Sequence, residues 1–118
     1  MFAVIFEVQP KPGCLDEYLA IAKDLRPELD RIDGFLTLDR LASLDARGRI
    51  LSFQTWRDEA AVIRWREHGG HRKAQARGRY QLFADYRLRV ASVLRDYGMH
   101  DREQAPADSR KVHDAVSG

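Results

Sequence analysis

The first segment sets the hardest constraint on what this chain can fold into. Phe2-Ala3-Val4-Ile5-Phe6-Glu7-Val8 reads as a β-strand with two mostly apolar faces: Phe2, Val4, Phe6 and Val8 on one, Ala3 and Ile5 on the other. A strand patterned this way is covered on both sides. The fold must supply that cover from 118 residues, a length that suits one domain with one modest core.

The chain continues in recognisable units. Pro10-Lys11-Pro12-Gly13 ends the strand and turns the backbone. Leu15, Tyr18, Leu19, Ala22, Leu25, Leu29 and Ile32 recur at steps of three and four, which predicts a helix over 15–31. Pro27 lies inside it and predicts a kink or a break near Arg26. After the Asp33-Gly34 turn, Phe35 to Ala42 reads as a second strand. Leu44-Asp45-Ala46-Arg47-Gly48 connects it to a third, Arg49 to Trp56. Arg57-Asp58-Glu59 opens a second helix with acids in its first turn. Gly69-Gly70 interrupts that helix, and His71 to about Phe83 resumes it. Asp85 to Tyr97 reads as the longest strand. Residues 1–98 form the expected domain. Residues 99–118 are polar with little periodicity, which predicts a tail that is disordered or draped over a partner.

The order β-α-β-β-α-β predicts an α+β, ferredoxin-like fold: a four-stranded antiparallel sheet with two helices on one face. Two helices cover only that face. The apolar residues on the other predict a homodimer, in which a second copy packs through the open sheet face.

Charge and composition exclude several classes. Twenty basic and eighteen acidic residues are interspersed for a formal net charge of +2, so no nucleic-acid footprint appears. The apolar stretches fall well short of the ~20 residues that span a bilayer, and the N-terminus alternates like a strand rather than a signal peptide. The single cysteine, Cys14, has no internal disulfide partner, and a cytoplasmic setting is expected. Cys14 opens the first helix with no base beside it and reads as a tolerated small residue.

The chemistry concentrates in RWREHGGH, residues 64–71. His68 and His71 are three apart, but a metal site needs a third and usually a fourth ligand, and Glu67 points about 100° away from His68 on a helix. No metal is expected. Histidine titrates near neutrality and can move a proton at physiological pH. Trp65 precedes both histidines. Phe53, Trp56, Tyr80, Phe83 and Tyr86 could join it around a slot between helix and sheet that suits a flat, apolar, aromatic ligand. The same aromatics serve equally as the core of a small domain, with His71 merely capping the resumed helix.

The stretch Phe53-Gln54-Thr55-Trp56, Glu59-Ala60 and Trp65-Arg66-Glu67-His68-Gly69-Gly70-His71-Arg72-Lys73-Ala74-Gln75 resembles the antibiotic biosynthesis monooxygenase family. Tyr86-Arg87-Leu88-Arg89-Val90-Ala91 and Arg95-Asp96-Tyr97-Gly98 extend the likeness over about residues 2–98. The resemblance implies a dimeric ferredoxin-like α+β barrel. Its heme-degrading branch has an iron-binding histidine ten residues after a helix tryptophan, where this chain has Gln75, and an asparagine in the first strand, where it offers Glu7 or a neighbour. A heme-binding or heme-degrading protein is therefore a distant alternative. The quinol-oxidising branch pairs a tryptophan with a tyrosine six residues on, here Trp65 and His71, and uses an asparagine four before, here Ala61. That branch implies a cofactor-independent monooxygenase acting with O2 on a small aromatic molecule such as a quinol, phenol or anthrone. His71 or His68 would be the base. Trp65 and Tyr86 would donate to substrate oxygen, with Phe53, Trp56, Tyr80 and Phe83 around it. Arg40, Arg87 and Arg89 could add positive potential if they face the slot, but the expected place for them is the dimer interface or water. The other reading is a non-catalytic small-ligand-binding or stress-related dimer.

Overall fold

The sheet is antiparallel throughout, in the order β2-β3-β1-β4. Its central strands are β1 (Phe2–Pro10) and β3 (Ile50–Trp56), and its edges are β2 (Phe35–Ala42) and β4 (Phe83–Ser92). The computed structural model describes residues 1–114. Helices α1 (Leu15–Asp30), α2 (Glu59–Glu67) and α3 (Gly69–Arg77) connect the strands, giving the ferredoxin-like α+β fold expected from the sequence. No helix among the described residues is long and apolar enough to cross a membrane.

The apolar β1 determines how the layers stack. Val4 and Val8 are buried under the helices, and the register places Ser52 opposite Phe6 and Trp56 opposite Phe2 on that same face. Two apolar clusters hold the helices down. One gathers Val4, Leu29, Trp56, Ala61, Val62 and Trp65. The other gathers Val8, Tyr18 and Leu82, with Phe6 and Phe83 against them. Trp56 is wholly buried and meets Phe35 edge to face, with ring centres 5.2 Å apart. The opposite face of the sheet carries Ile5, Leu41, Leu51 and Phe53 with Glu7 and Arg89, and Leu41 and Phe53 are exposed there.

Several local features depart from the sequence reading. Helix α1 is one unbroken element with Pro27 inside it. Proline removes one helical hydrogen bond, but Leu25 and Leu29 on either side of it pack on the first cluster and keep the helix on the sheet. The second helix breaks at His68, one residue before the glycine pair, and both glycines belong to α3. A π-helical turn over Gly78–Leu82 leads into β4, which ends at Ser92 rather than running to Tyr97. Beyond it lies a short helix, α4 (Ala107–His113), that periodicity did not reveal. Arg102 folds this segment on itself by bonding the Gly98 carbonyl at 3.0 Å, the Ser109 hydroxyl at 2.6 Å and the Asp114 carboxylate at 2.9 Å. Residues 115–118 of the predicted tail lie outside the described residues.

The turn before β2 anchors α2. Arg57 grips the Asp33 carboxylate with two bonds, 2.9 and 3.0 Å long, and its own N–H donates to the Gly34 carbonyl at 2.7 Å. Asp58 caps α2 by accepting from the Ala61 N–H at 2.9 Å. Gly34 has φ +95°, and a β-carbon there would lie 2.6 Å from the Ala61 β-carbon. Gly13 has φ +80° but open space around it. Gly13→Ala is expected to lose about 1 kcal/mol from backbone strain alone. Gly34→Ala should lose a further 1–3 kcal/mol, roughly, from overpacking. Urea melts of the two variants measure the difference, and equal losses would contradict it.

Candidate active site

The helix layer does not fill the space over the sheet. Between the two clusters runs a cleft of about 700 Å³, a size typical of sites for small organic molecules. Its floor is the helix-side face of the sheet: Leu38 and Arg40 from β2, Ser52, Gln54 and Trp56 from β3, Val4 and Phe6 from β1, and Tyr86, Leu88 and Val90 from β4. Helix α1 contributes Tyr18, Ile21 and Leu25 to the walls. The other helices contribute Trp65, His71 and Gln75.

His71 is positioned by the break between α2 and α3. An unbroken helix would occupy the Trp65 carbonyl with the backbone four residues on. Here His68 takes extended backbone angles (φ −62°, ψ 132°), and the Trp65 carbonyl instead accepts from the His68 N–H at 3.1 Å and from His71 Nδ1 at 3.0 Å. A carbonyl only accepts, so Nδ1 carries the proton and Nε2 keeps a free lone pair when the ring is neutral. The imidazole stacks on the Trp65 indole with centres 4.5 Å apart and planes 16° from parallel. Gly70 lets this turn approach α1, because a β-carbon there would lie 2.7 Å from the Glu28 carboxylate and 3.2 Å from Leu25. Burial pushes the His71 pKa below the usual histidine value. The bond to the Trp65 carbonyl opposes this, and the charges of His68 and Arg72 add to it. The neutral, basic form is thus favoured.

The structure separates the two histidines. His68 also stacks on Trp65, at 5.3 Å, but it does not line the cleft, and its Nδ1 is buried without a hydrogen-bond partner among the described residues. Trp65, Trp56, Phe83, Tyr80 and Tyr86 all line the cleft, with Tyr80 at its exposed margin. Phe53 does not. It lies on the open face, because strand alternation from the buried Trp56 puts Gln54 and Ser52 inward and Phe53 outward. Tyr86 Oη accepts from Arg79 Nη1 at 2.7 Å, so its own proton is free to donate. Trp56 Nε1 donates to Gln54 Oε1 at 3.1 Å.

Arg87 and Arg89 face away from the cleft, whereas Arg40 lines it. Arg40 thus faces the slot rather than the interface or water, and Ser52 and Gln54 are polar groups of the floor that the sequence reading does not single out. Counting back in twos from Trp56, and across the ladder to β2, would have found them. Ala61, where the resemblance has asparagine, is fully buried and does not line the cleft. Cys14 stands at the start of α1 and packs beside the second cluster. Among the described residues, no group of three or more His, Cys, Asp or Glu side chains is placed to hold a metal ion.

A family model for antibiotic biosynthesis monooxygenases matches residues 1–77. The jasmonate monooxygenase ABM of Pyricularia oryzae is 53% identical over 117 residues, which cover 99% of this chain and 54% of that protein. The chain belongs to the antibiotic biosynthesis monooxygenase family. It spans about half the length of the curated relatives it matches. Among solved structures, Rv0793 from Mycobacterium tuberculosis superposes with a TM-score of 0.72 at 21% identity, covering 82% of this chain and 98% of that one. SnoaB, a cofactor-independent oxygenase from Streptomyces nogalater, superposes with a TM-score of 0.70 at 15% identity, covering 80% and 94%. These likenesses establish the shared fold.

The depressed His71 pKa has a consequence for stability. An unfolded His71 titrates near 6.5 and the folded one below it. Between those values the unfolded chain binds the proton and the folded chain does not. The stabilising contribution is therefore full above pH 6.5 and falls as pH drops through that window. Melting temperatures measured from pH 8 down to pH 5 should decline more steeply for the native sequence than for His71→Gln, and parallel curves would contradict the assignment.

Proposed function

We propose that this chain is a cofactor-independent monooxygenase that oxidises a small, apolar, quinol-, phenol- or anthrone-like molecule with O2, and that His71 is its base. The observation that carries the proposal is the hydrogen bond from His71 Nδ1 to the Trp65 carbonyl. It directs the basic Nε2 lone pair to the free end of a ring that lines an apolar cleft.

The reaction is written for a substrate methylene flanked by activating groups. His71 Nε2 takes a proton and leaves a carbanion stabilised as an enolate or phenolate. The anion gives one electron to O2, and the resulting radical and superoxide combine into a carbon–oxygen bond. His71 returns its proton to the distal oxygen, and the hydroperoxide loses water to leave a carbonyl. The net change is CH2 + O2 → C=O + H2O, with all four electrons supplied by the substrate. Trp65 and the Tyr86 hydroxyl, which Arg79 polarises, are the proposed donors to substrate oxygen as charge develops. Trp56, Tyr80 and Phe83 surround the substrate and limit water. The monooxygenase relative from Pyricularia oryzae supports the reaction class, and its name adds jasmonate to the molecules worth testing.

Homodimerisation through the open sheet face belongs to the same reading. Leu41 and Phe53 are 47% and 37% exposed on that face, and a second copy would cover them. Phe53→Glu should shift the sedimenting species toward monomer. An unchanged mass, or a native chain that is already monomeric, counts against this interface.

A second reading, a dimer that binds a small ligand without transforming it, draws on Ala61. Its packing against Gly34 excludes a larger polar side chain there, so the catalytic amide of the quinol-oxidising branch has no equivalent at this position. Oxygen uptake by chelator-treated protein with quinols, anthrones and jasmonate separates the readings. Uptake should survive chelation, fall about 100-fold or more in His71→Ala, and change little in His68→Ala, which lies outside the cleft. Ligand-dependent melting without uptake from any of these compounds would leave the binding dimer.

A further inference from the structure

The cleft has a charge character that the chain as a whole lacks. Arg26, Arg40, Arg66, Arg72 and Arg79 line it, and no aspartate or glutamate does. Over the whole sequence the two signs nearly balance, 20 against 18. Among the described residues, two of the five have a side-chain ion pair or hydrogen bond. Arg26 pairs with Asp30 at 2.8 Å, and Arg79 bonds Tyr86.

Arg40 differs from the others in where it stands. The other four rise from the helical layer and the turn after it, whereas Arg40 projects from the sheet floor. Its Nε is buried and meets no acceptor among the described residues. Its guanidinium carbon sits 6.0 Å from the centre of the Tyr18 ring, a contact that orients a cation but accepts no hydrogen bond directed along an N–H. Across the ladder its neighbour is Ser52, only 2% exposed and also in the floor. A buried N–H without an acceptor is costly, and more so on a charged group. Such an arrangement suits a site whose acceptor arrives with the ligand.

The register gives the rest of the ligand. Arg40, Ser52, Phe6 and Leu88 form one row across the four strands, from the β2 edge to the β4 edge. Three inter-strand steps span about 14 Å. The row is polar at the β2 end and apolar at the β4 end, with Val4 and Val90 in the next row extending the apolar part.

We propose that Arg40 is a specificity-determining residue that binds a carboxylate on the substrate, so that the cleft selects an organic acid with a single apolar body. Arg40 donates to the carboxylate and the Ser52 hydroxyl donates beside it, while Phe6 and Leu88 carry the body. The other arginines contribute a positive field that draws an acid in, without holding it at one place. This proposal rests on the reading of the cleft as a substrate site, and deepens it.

The test uses 2-naphthylacetate and its methyl ester, two probes that share an apolar body and differ in charge. Both tryptophans of the chain, Trp56 and Trp65, line the cleft, so quenching of their fluorescence reports occupancy directly. The native protein should bind the acid at least about 10-fold more tightly than the ester. Arg40→Gln should bring the two within about threefold by weakening the acid alone, whereas Arg47→Gln, at an exposed arginine outside the cleft, should keep the preference. Arg40→Met is the companion variant. It removes the buried unpaired donor, so it should melt at or above the native temperature and still lose the preference. Equal binding of acid and ester by the native protein, or a preference that survives in the Arg40 variants, overturns the role of Arg40 and leaves the substrate cleft standing. If neither probe quenches the native tryptophans, the cleft reading fails and the proposal fails with it.

Discussion

The carbonyl oxygen of Trp65 accepts two hydrogen bonds, from the His68 N–H and from His71 Nδ1, and the second exists only because the helix stops. In a continuous helix that oxygen would face the next turn and be fully used. Ending α2 at His68 releases it, and restarting at Gly69 brings His71 round to meet it. The tautomer, the stacking on Trp65 and the free Nε2 all follow from this one backbone break. Gly70 keeps this turn close to α1, since a side chain there would displace the ends of Glu28 and Leu25.

A broken helix also explains why there is a cleft to face. One long helix could cover the sheet along a single line. Here α2, α3 and the π-helical turn replace it, and all three line the cleft. The two apolar clusters secure the helical layer separately. Core and cleft overlap: Trp56, Leu29 and Leu82 are buried in the clusters and line the cleft as well, with the less buried Phe6, Leu88 and Val90 beside them.

The sequence carries the architecture in its strand patterning and the site only in part. Doubly apolar β1 and the order of periodicities lead to the ferredoxin-like sheet because side-chain alternation is enforced by the pleat. Gly69-Gly70 announces a helix interruption, but not that it falls at His68, which depends on how α3 packs against α1. The break expected at Pro27 is absent because Leu25 and Leu29 anchor both sides of it. Phe53 was misplaced by weighing residue type over parity. An aromatic in β3 attracts attention, but Trp56 alone settles which of its neighbours turn inward. Arg40 departs from its expected place at the interface or in water for the opposite reason. Arginine on an edge strand ordinarily reaches water, and only the register places it beneath Tyr18. Neither the π-helical turn nor α4 has an apolar period of its own, so pattern reading could not find them.

Burial and positive charge act on the site in two directions at once. Together they keep His71 neutral at physiological pH, but they also make it a weaker base than free histidine. Each unit by which the substrate's pKa exceeds that of the base adds about 1.4 kcal/mol to the proton transfer. A phenol or anthrone held by apolar walls alone would meet that whole cost. On the proposed reading the cleft offsets part of it, because the substrate anion would lie among arginines and beside the Arg79–Tyr86 pair. Transfer converts a neutral pair into an ion pair in a site that excludes much of the water, where fixed donors act most strongly. On that reading, what the surroundings take from His71 as a base they return as stabilisation of the substrate anion. If both proposals hold, the substrate is one whose negative charge develops toward Tyr86 while a second, permanent charge is held at Arg40.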